Sequence, residues 1–268
     1  MRERQRAEIV RNLLSERGFL SIADLMAATG VSAASARRDA GRLAEMGVAE
    51  RVHGGIQAVA PSKSLAQEQL ATRAFEVSRM INIAAKRAIA RKAVEMCVDG
   101  EAIIINGGTT TFQMSEFLRD RRLKVLTNSY PLAEFLIHET ENLVALPGGE
   151  VYRKQKMIVA PFDDDAIQHY AATLMFMSAL AIGPHGLVEG DPLIARAEAK
   201  LLRRAEKLVV LADGSKFDNR GGLVVCPLSR ILRVVTDVSA PAAALAMLAD
   251  AGVETIIVDP QAQATEAA

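Results

Sequence analysis

The sequence predicts an α/β chain in two parts, an N-terminal winged helix-turn-helix followed by a C-terminal Rossmann-like α/β domain. Three observations carry that prediction. Formal charge is zero overall, yet Met1–Lys92 holds 16 basic and 9 acidic residues (+7) and Ala93–Ala268 holds 16 and 23 (−7), so only the first part suits a polyanion. Within the first 57 residues, glycines and small capping residues punctuate three helical stretches. From Glu101 onward, short apolar runs alternate with helical ones, which implies a largely parallel sheet wrapped by helices.

In the first part, Ile9, Val10, Leu13 and Leu14 form one apolar stripe at helical spacing between Arg4 and Arg17, and Gly18 ends it. Ser21 can cap a short second helix, with Asp24 completing a capping box, and Gly30 stops that helix after Leu25 and Met26. Ser32 is the next cap, for a third helix running from Ala33 to about Met46. On it Ala36, Ala40 and Leu43 share an inward face, while Ala33, Ser35, Arg37, Arg38 and Arg42 point elsewhere. Short and cationic side chains near a helix start suit a major groove. Arg37 and Arg38 can reach guanine edges or phosphates, and Ser32 and Ser35 can bond phosphates or bases. Val48 to Gly55 reads as a small strand pair, a wing presenting Arg51 and His53 to a duplex backbone. A dimerisation module with solvated arginines is the bland alternative; the agreement of caps, turn and wing favours double-stranded DNA.

Ile56 to Ala66, with Pro61, Ser62 and Ser64, reads as a linker. Helix-like sequence resumes near Leu70 and runs through Arg79 to Cys97, with Ile89, Ala93, Val94 and Cys97 as a buried stripe. Lys86, Arg87, Arg91 and Lys92 are expected on its exposed face. The expected domains are 1–57 for the DNA-reading head, 58–78 for linker and connecting helix, 79–260 for the α/β domain, and 261–268 for a loose tail.

In the second part the expected strands are Ala102–Ile105, Lys124–Thr127, Leu143–Leu146, Leu180–Ile182, Leu208–Leu211, Arg233–Thr236 and Thr255–Val258. The expected helices lie near Thr111–Arg119, Leu132–His138, Ala166–Met175, Leu193–Ala205 and Ala242–Ala251. Ligands of such sheets sit beyond the carboxyl ends of the strands. Here those ends carry Asn106, Gly107, Gly108, Thr109, Thr110 and Thr111, then Thr127, Asn128 and Ser129, then Pro147, Gly148 and Gly149. Glycines let backbone N–H groups approach an anion, and hydroxyls add donors without charge. Three such loops side by side would make one anion-binding crevice, completed by Lys216 directly after a strand end and by Lys200 on a helix. Either lysine could instead be solvated.

Several classes fall away. Cys97 and Cys226 cannot staple a small secreted domain and lack zinc-finger spacing. No apolar run reaches membrane-span length and no signal core follows the N-terminus, so a cytoplasmic protein is expected. Trp is absent and aromatics make up 4%, which argues against single-strand binding by base stacking. No cofactor is expected, because the Gly107–Thr111 loop lacks both a dinucleotide fingerprint and a Walker lysine. Asp165 and His169 could hold a divalent ion at helical spacing, but capping explains Asp163, Asp164 and Asp165 adequately, and no metal site is expected.

The run Val31-Ser-Ala-Ala-Ser-Ala-Arg-Arg-Asp39 followed by Arg51-Val-His-Gly-Gly55 resembles the reading head of the DeoR family of bacterial transcriptional regulators. Leu126-Thr-Asn-Ser, Pro147-Gly-Gly, Ala197-Glu-Ala-Lys and Leu211-Ala-Asp-Gly-Ser-Lys-Phe resemble, in order, that family's effector domain, which is similar in fold to sugar-phosphate isomerases. The resemblance spans Arg2 to Val258 and implies a phosphorylated sugar effector that alters DNA affinity, usually to relieve repression. It also implies that Asp39 orients neighbouring arginines. The chain departs from the family pattern at Ala36 and Ala40, where larger aliphatics are usual, at Ala85 for a glutamate, at Asn106 for an acid, and at Gly183-Pro-His185-Gly for Gly-Ala-Asp-Gly. Asn106 and His185 then imply a ligand with different hydroxyl or acidic groups. Arg153-Lys-Gln-Lys156 and Glu189-Gly-Asp191 resemble the branch that regulates ascorbate use, leaving acidic sugars, pentoses and tetritols open as ligands. A sugar-phosphate isomerase is the rival reading; the attached DNA reader and the loss of an acid at His185 weigh against it. One reading head contacts too few base pairs to be selective, so a homodimer or homotetramer is expected.

Overall fold

The computed structural model describes residues 9–10, 13–14, 19–45, 49–52, 54–58, 75–160, 165–217 and 222–262. The chain divides into two compact units, Met1–Ala66 and Gln67–Ala268.

In the first unit, Ile9, Val10, Leu13 and Leu14 have helical backbone, and Val10 and Leu14 are buried. Strand β1 (Phe19–Ser21) leads directly into helix α1 (Ile22–Thr29). Its capping box is formed: Ser21 Oγ accepts the Asp24 N–H at 3.1 Å, and Asp24 Oδ2 accepts the Ser21 N–H at 2.9 Å. Gly30, at φ 68°, closes the helix by donating its N–H to the Met26 carbonyl. Helix α2 (Ala33–Glu45) follows, then β2 (Ala49–Val52) and β3 (Gly55–Ala58), paired antiparallel as the wing. The sequence reading had no place for β1, which pairs antiparallel with β3 and makes the sheet three-stranded, in the order β1-β3-β2. Leu20, Leu25, Ala36, Ala40, Leu43, Ala49 and Ile56 join Val10 and Leu14 in one core. Ala36 and Ala40 are each 1% exposed, so the small residues on α2 are fully buried in this core.

The second unit opens with the single turn α3 (Phe75–Ser78) and helix α4 (Ile83–Val94). Then follow β4 (Ala102–Ile105), α5 (Thr109–Phe112), α6 (Met114–Phe117), β5 (Lys124–Thr127), α7 (Tyr130–Glu139) and β6 (Leu143–Ala145). A hairpin of β7 (Glu150–Tyr152) and β8 (Met157–Val159) leads to β9 (Ala172–Ser178), β10 (Ala181–Gly183) and β11 (Gly186–Glu189). The remainder is α8 (Pro192–Leu202), β12 (Ala205–Leu211), β13 (Leu223–Cys226), β14 (Ile231–Asp237), α9 (Ala242–Asp250) and β15 (Glu254–Val258).

Among the described residues, seven of these strands form one parallel sheet in the order β15-β14-β12-β9-β4-β5-β6. Two apolar clusters cover its two faces. Ile103 and Ile105 point into one and Ile104 into the other, so β4 is apolar at every position. Burying each such side chain contributes about 1.5–3 kcal/mol. From β4 the chain runs outward to β5 and β6, and then returns to β9 on the other side of β4. The order therefore reverses between β4 and β9, the place where open α/β sheets leave a crevice at their strand ends.

Five sequence expectations are corrected. Ala166–Met175 is not a helix: Ala166–His169 is a short 3-10 turn, and Ala172–Ser178 is a central strand. The strand expected at Leu180–Ile182 lies outside the main sheet, as β10 in a small antiparallel sheet with β11 and β13. The helix expected from Leu70 through Arg79 is interrupted before α4, with turns over 79–82 and Asn82 at φ 53°. Lys86 does not share the exposed face with Arg87: it is 3% exposed. The expected loose tail starts with helical backbone at Gln261 and Ala262, and 263–268 lie outside the described residues.

Candidate functional site

On the reading head, α2 places Arg37, Arg38 and Arg42 on its exposed side, opposite the buried Ala36, Ala40 and Leu43. Ser32 is exposed, and Ala33 and Ser35 are half-buried at the start of the helix. Ser32 Oγ lies 3.4 Å from the Ser35 N–H, and Arg38 Nη2 lies 3.4 Å from Ser35 Oγ, so these contacts hold the side chains only weakly. Arg51 is exposed on β2. His53 lies outside the described residues.

In the second unit, a cavity with about 100 Å³ of room opens where the sheet order reverses. Gly107, Gly108, Thr109 and Thr110 reach it from the end of β4, and Ser178 and Ala179 from the end of β9. Glu189 joins from β11, Glu198 from α8, Lys216 from the turn after β12, Gln155 and Met157 from the hairpin, and Phe75 and Ser78 from α3. The glycines are needed for this closeness. A Cβ on Gly108 would lie 2.1 Å from Ser178 Oγ, and one on Gly107 would lie 2.5 Å from Met157 Cγ.

Beneath the loop runs a buried polar frame. Asn106 Nδ2 donates to Glu198 Oε1 at 3.0 Å, and Asn106 Oδ1 accepts the Ser178 N–H at 3.0 Å. Thr111 Oγ1 donates to the Asn106 carbonyl at 2.9 Å. Asn128 Oδ1 accepts the Gly107 N–H at 2.7 Å. Asn106 thus bridges three elements through a neutral amide, where an acid would have stood against Glu198.

The electrostatics follow from burial. Full burial pushes the Glu198 carboxyl well above the usual carboxylate range; the neighbouring Glu189 adds to the shift and the Asn106 bond opposes it. Burial also raises Glu189. Lys86, whose Nζ donates to the Ser78 carbonyl at 2.9 Å and to the Ile81 carbonyl, is lowered to about 8 by burial, with Asp213 opposing and Lys216 reinforcing. Burial raises the Cys97 and Cys226 thiols to about 12 and about 11, so neither is a ready nucleophile.

The structure brings together only part of the expected crevice. Asn106 and Thr111 frame the cavity from below. Thr127, Asn128 and Ser129 are buried: Ser129 caps α7, Thr127 Oγ1 accepts the Ser129 N–H, and Asn128 lines a smaller neighbouring cavity with Pro147, Arg196 and Lys200. Lys200 is 6% exposed, and its Nζ lies 2.7 Å from Asp165 Oδ2. That ion pair accounts for Asp165, and His169 stands exposed. Gly148 and Gly149 are exposed and do not line either cavity. At φ 144°, Gly149 lets the chain pass against the Val159 carbonyl to open the β7–β8 hairpin. His185 is exposed in the turn between β10 and β11 and lines neither cavity. Sequence reasoning placed no weight on Ser178 and Met157, and took Gln155 only as part of the Arg153–Lys156 run; the strand and hairpin that carry them have no period or turn signature marking them as ligand walls.

Solved structures with a partial likeness include ribose 5-phosphate isomerase A from Methanocaldococcus jannaschii (18% identity, 49% of this chain and 53% of that one, TM-score 0.37). Another is the translation initiation factor eIF-2B from Pyrococcus horikoshii OT3 (19%, 57% and 62%, TM-score 0.39). The chain is 30% identical over 256 residues, 96% of its length and 99% of the relative's, to the HTH-type transcriptional regulator UlaR of Shigella dysenteriae serotype 1, and to the same extent to UlaR of Salmonella newport. Residues 6–62 match the DeoR-like helix-turn-helix domain and residues 81–238 the DeoR C terminal sensor domain. With an exposed arginine face on a helix-turn-helix and a sensor domain behind it in the chain, this protein belongs to the DeoR family of DNA-binding transcriptional regulators.

Proposed function

We propose that this regulator represses a carbohydrate-utilisation operon and that a phosphorylated sugar or sugar acid, held in the cavity beside Gly107–Thr110 and Lys216, sets its affinity for operator DNA. The observation that carries the reading is the position of that cavity at the sheet's reversal point, with a glycine–threonine loop and a lysine on its wall. Ser32, Ala33, Ser35, Arg37, Arg38 and Arg42 meet the major groove and Arg51 the backbone, as the exposed face of α2 supports. Asn106, Thr111 and Asn128 hold the ligand loop in shape. The division of labour is 1–57 for reading, 58–78 for connection and 79–260 for sensing, and the working unit is a homodimer or homotetramer. A sensor must bind its effector with different affinity in DNA-competent and incompetent states. The test is a thermal-shift screen against phosphorylated sugars and sugar acids, followed by operator binding with each hit. A ligand that raises the melting temperature and weakens operator binding supports the reading. If no phosphorylated sugar or sugar acid shifts the melt, the effector assignment falls.

One observation favours a second reading, an isomerase-like enzyme: two carboxylates, Glu189 and Glu198, stand in the same cavity, and aldose–ketose exchange needs a carboxylate base. Sustained turnover of a pentose phosphate by the purified protein would promote it; binding without turnover leaves sensing.

A further inference from the structure

Glu189 gives the cavity a wall that an anion site does not need. It ends β11 half-buried, and its Oε1 accepts the N–H groups of Gly190 at 2.7 Å and Asp191 at 3.2 Å. Those bonds fix the carboxylate on the cavity lining rather than letting it swing into solvent. Glu198 lines the same space, and its full burial favours the protonated, uncharged form. Among the described lining residues Lys216 is the one cation. Lys200, the other cation the sequence offered, lines the neighbouring cavity and pairs with Asp165.

These positions treat the two ends of a ligand differently. One anionic group can settle near Lys216 and the Gly107–Thr110 loop. A second would share about 100 Å³ with the Glu189 carboxylate. Hydroxyl groups, in contrast, donate to carboxylate oxygens, and an ionised carboxylate can only accept. Selectivity of this kind comes as much from repelling the wrong ligand as from bonding the right one.

We propose that Glu189 is a specificity-determining residue of the sensor: it accepts hydroxyls from a ligand with one phosphate and an otherwise neutral polyol or aldose end, and it excludes ligands whose other end is a carboxylate. The proposal rests on the cavity being a sugar-phosphate site and narrows that site to neutral-ended sugar phosphates.

Matched pentitol and pentonate 5-phosphates test it, with inorganic phosphate as the reference for a bare anion. The full-length protein and its E189Q variant are titrated with each, and binding is read by thermal shift and calorimetry. The wild type should favour the pentitol phosphate over its pentonate partner by at least about tenfold, given what like charges cost when brought together. E189Q, which keeps shape and loses charge, should narrow or reverse that ratio. A ratio unchanged by E189Q overturns the proposal and leaves the sugar-phosphate site standing. If neither protein binds any of the ligands, the site reading falls and the proposal with it. A second measurement needs no variant. Among the described residues, the titratable groups facing Glu189 are Glu198 on α8, Lys216 after β12 and Asp191 on its own loop. Since burial raises the Glu189 pKa above its ordinary value, lowering the pH from 8 to 4 should shrink the wild-type preference, while the phosphate titrates alike in both members of a pair. A preference constant across that range also overturns the proposal.

Discussion

Glu198 is the residue where charge and burial conflict most openly. The folded protein holds its proton to a higher pH than the unfolded chain, which releases it near pH 4.3. A group of this kind adds stability below its unfolded value, and that contribution is lost as pH rises toward the folded one. Glu198→Gln keeps an oxygen for Asn106 Nδ2 and removes the titration. Unfolding in urea should therefore show the variant more stable than wild type at pH 7, with the gap closing near pH 4. Equal stability at both pH values would mean the carboxyl is not desolvated as the structure indicates. Arg38 is the opposite case, an exposed side chain with one long contact to Ser35. Arg38→Ala should change stability by less than about 0.5 kcal/mol. Its operator affinity should drop by about 1–3 kcal/mol, measured by fluorescence anisotropy at fixed salt. Normal operator binding would remove α2 from the groove.

At the scale of elements, α4 shows how one helix serves two tasks. Ala88, Ile89, Ala90, Ala93 and Val94 pack it onto the sheet. From its first turn, Lys86 reaches back to the carbonyls of Ser78 and Ile81, and Asn82 Nδ2 donates to Asp213 Oδ1 at 3.0 Å. These bonds hold the end of α3, whose Phe75 and Ser78 line the cavity, against the sensor domain. With its folded pKa lowered to about 8, Lys86 leaves the unfolded chain binding more protons between about pH 8 and 10.4. The wild type should therefore gain stability across that window relative to Lys86→Met, as followed by thermal melts at stepped pH. Parallel curves for the two proteins would show that Lys86 is solvated.

Elements also differ in how legible they were. The capping box at Ser21 and the left-handed stop at Gly30 were readable because their signals lie within a few residues. Strand β9 was not. It is central and buried on both faces, so its run Ala-Thr-Leu-Met-Phe-Met-Ser has no alternation, and its Leu and Met read as helix formers. Lys86 was misplaced for a related reason: helical period assigns a face, but not what another segment of chain lays over it.

At the scale of the whole molecule, a basic head and an acidic sensor half in one chain predict strong salt dependence in DNA binding. Sedimentation of the free protein should give a dimer or tetramer, and operator occupancy should require paired half-sites about 10 base pairs or a multiple apart. A monomer that binds a single half-site selectively would overturn the assembly proposed above.

The sequence by itself determined the two-part plan, the helix-turn-helix with its cationic face, and the glycine–threonine loop after the first sheet strand. Each is encoded by neighbours in the chain, through caps, periods and charge. Tertiary structure alone decided which loops meet. It drew Gly107–Thr110, Ser178, Glu189, Glu198 and Lys216 around one cavity and gave Gly148 and Gly149 to a hairpin. It turned Lys200 to Asp165 and left His185 in solvent. The physical reason is that strand order and the packing of buried charge bring together residues far apart in sequence, and no local pattern records that order.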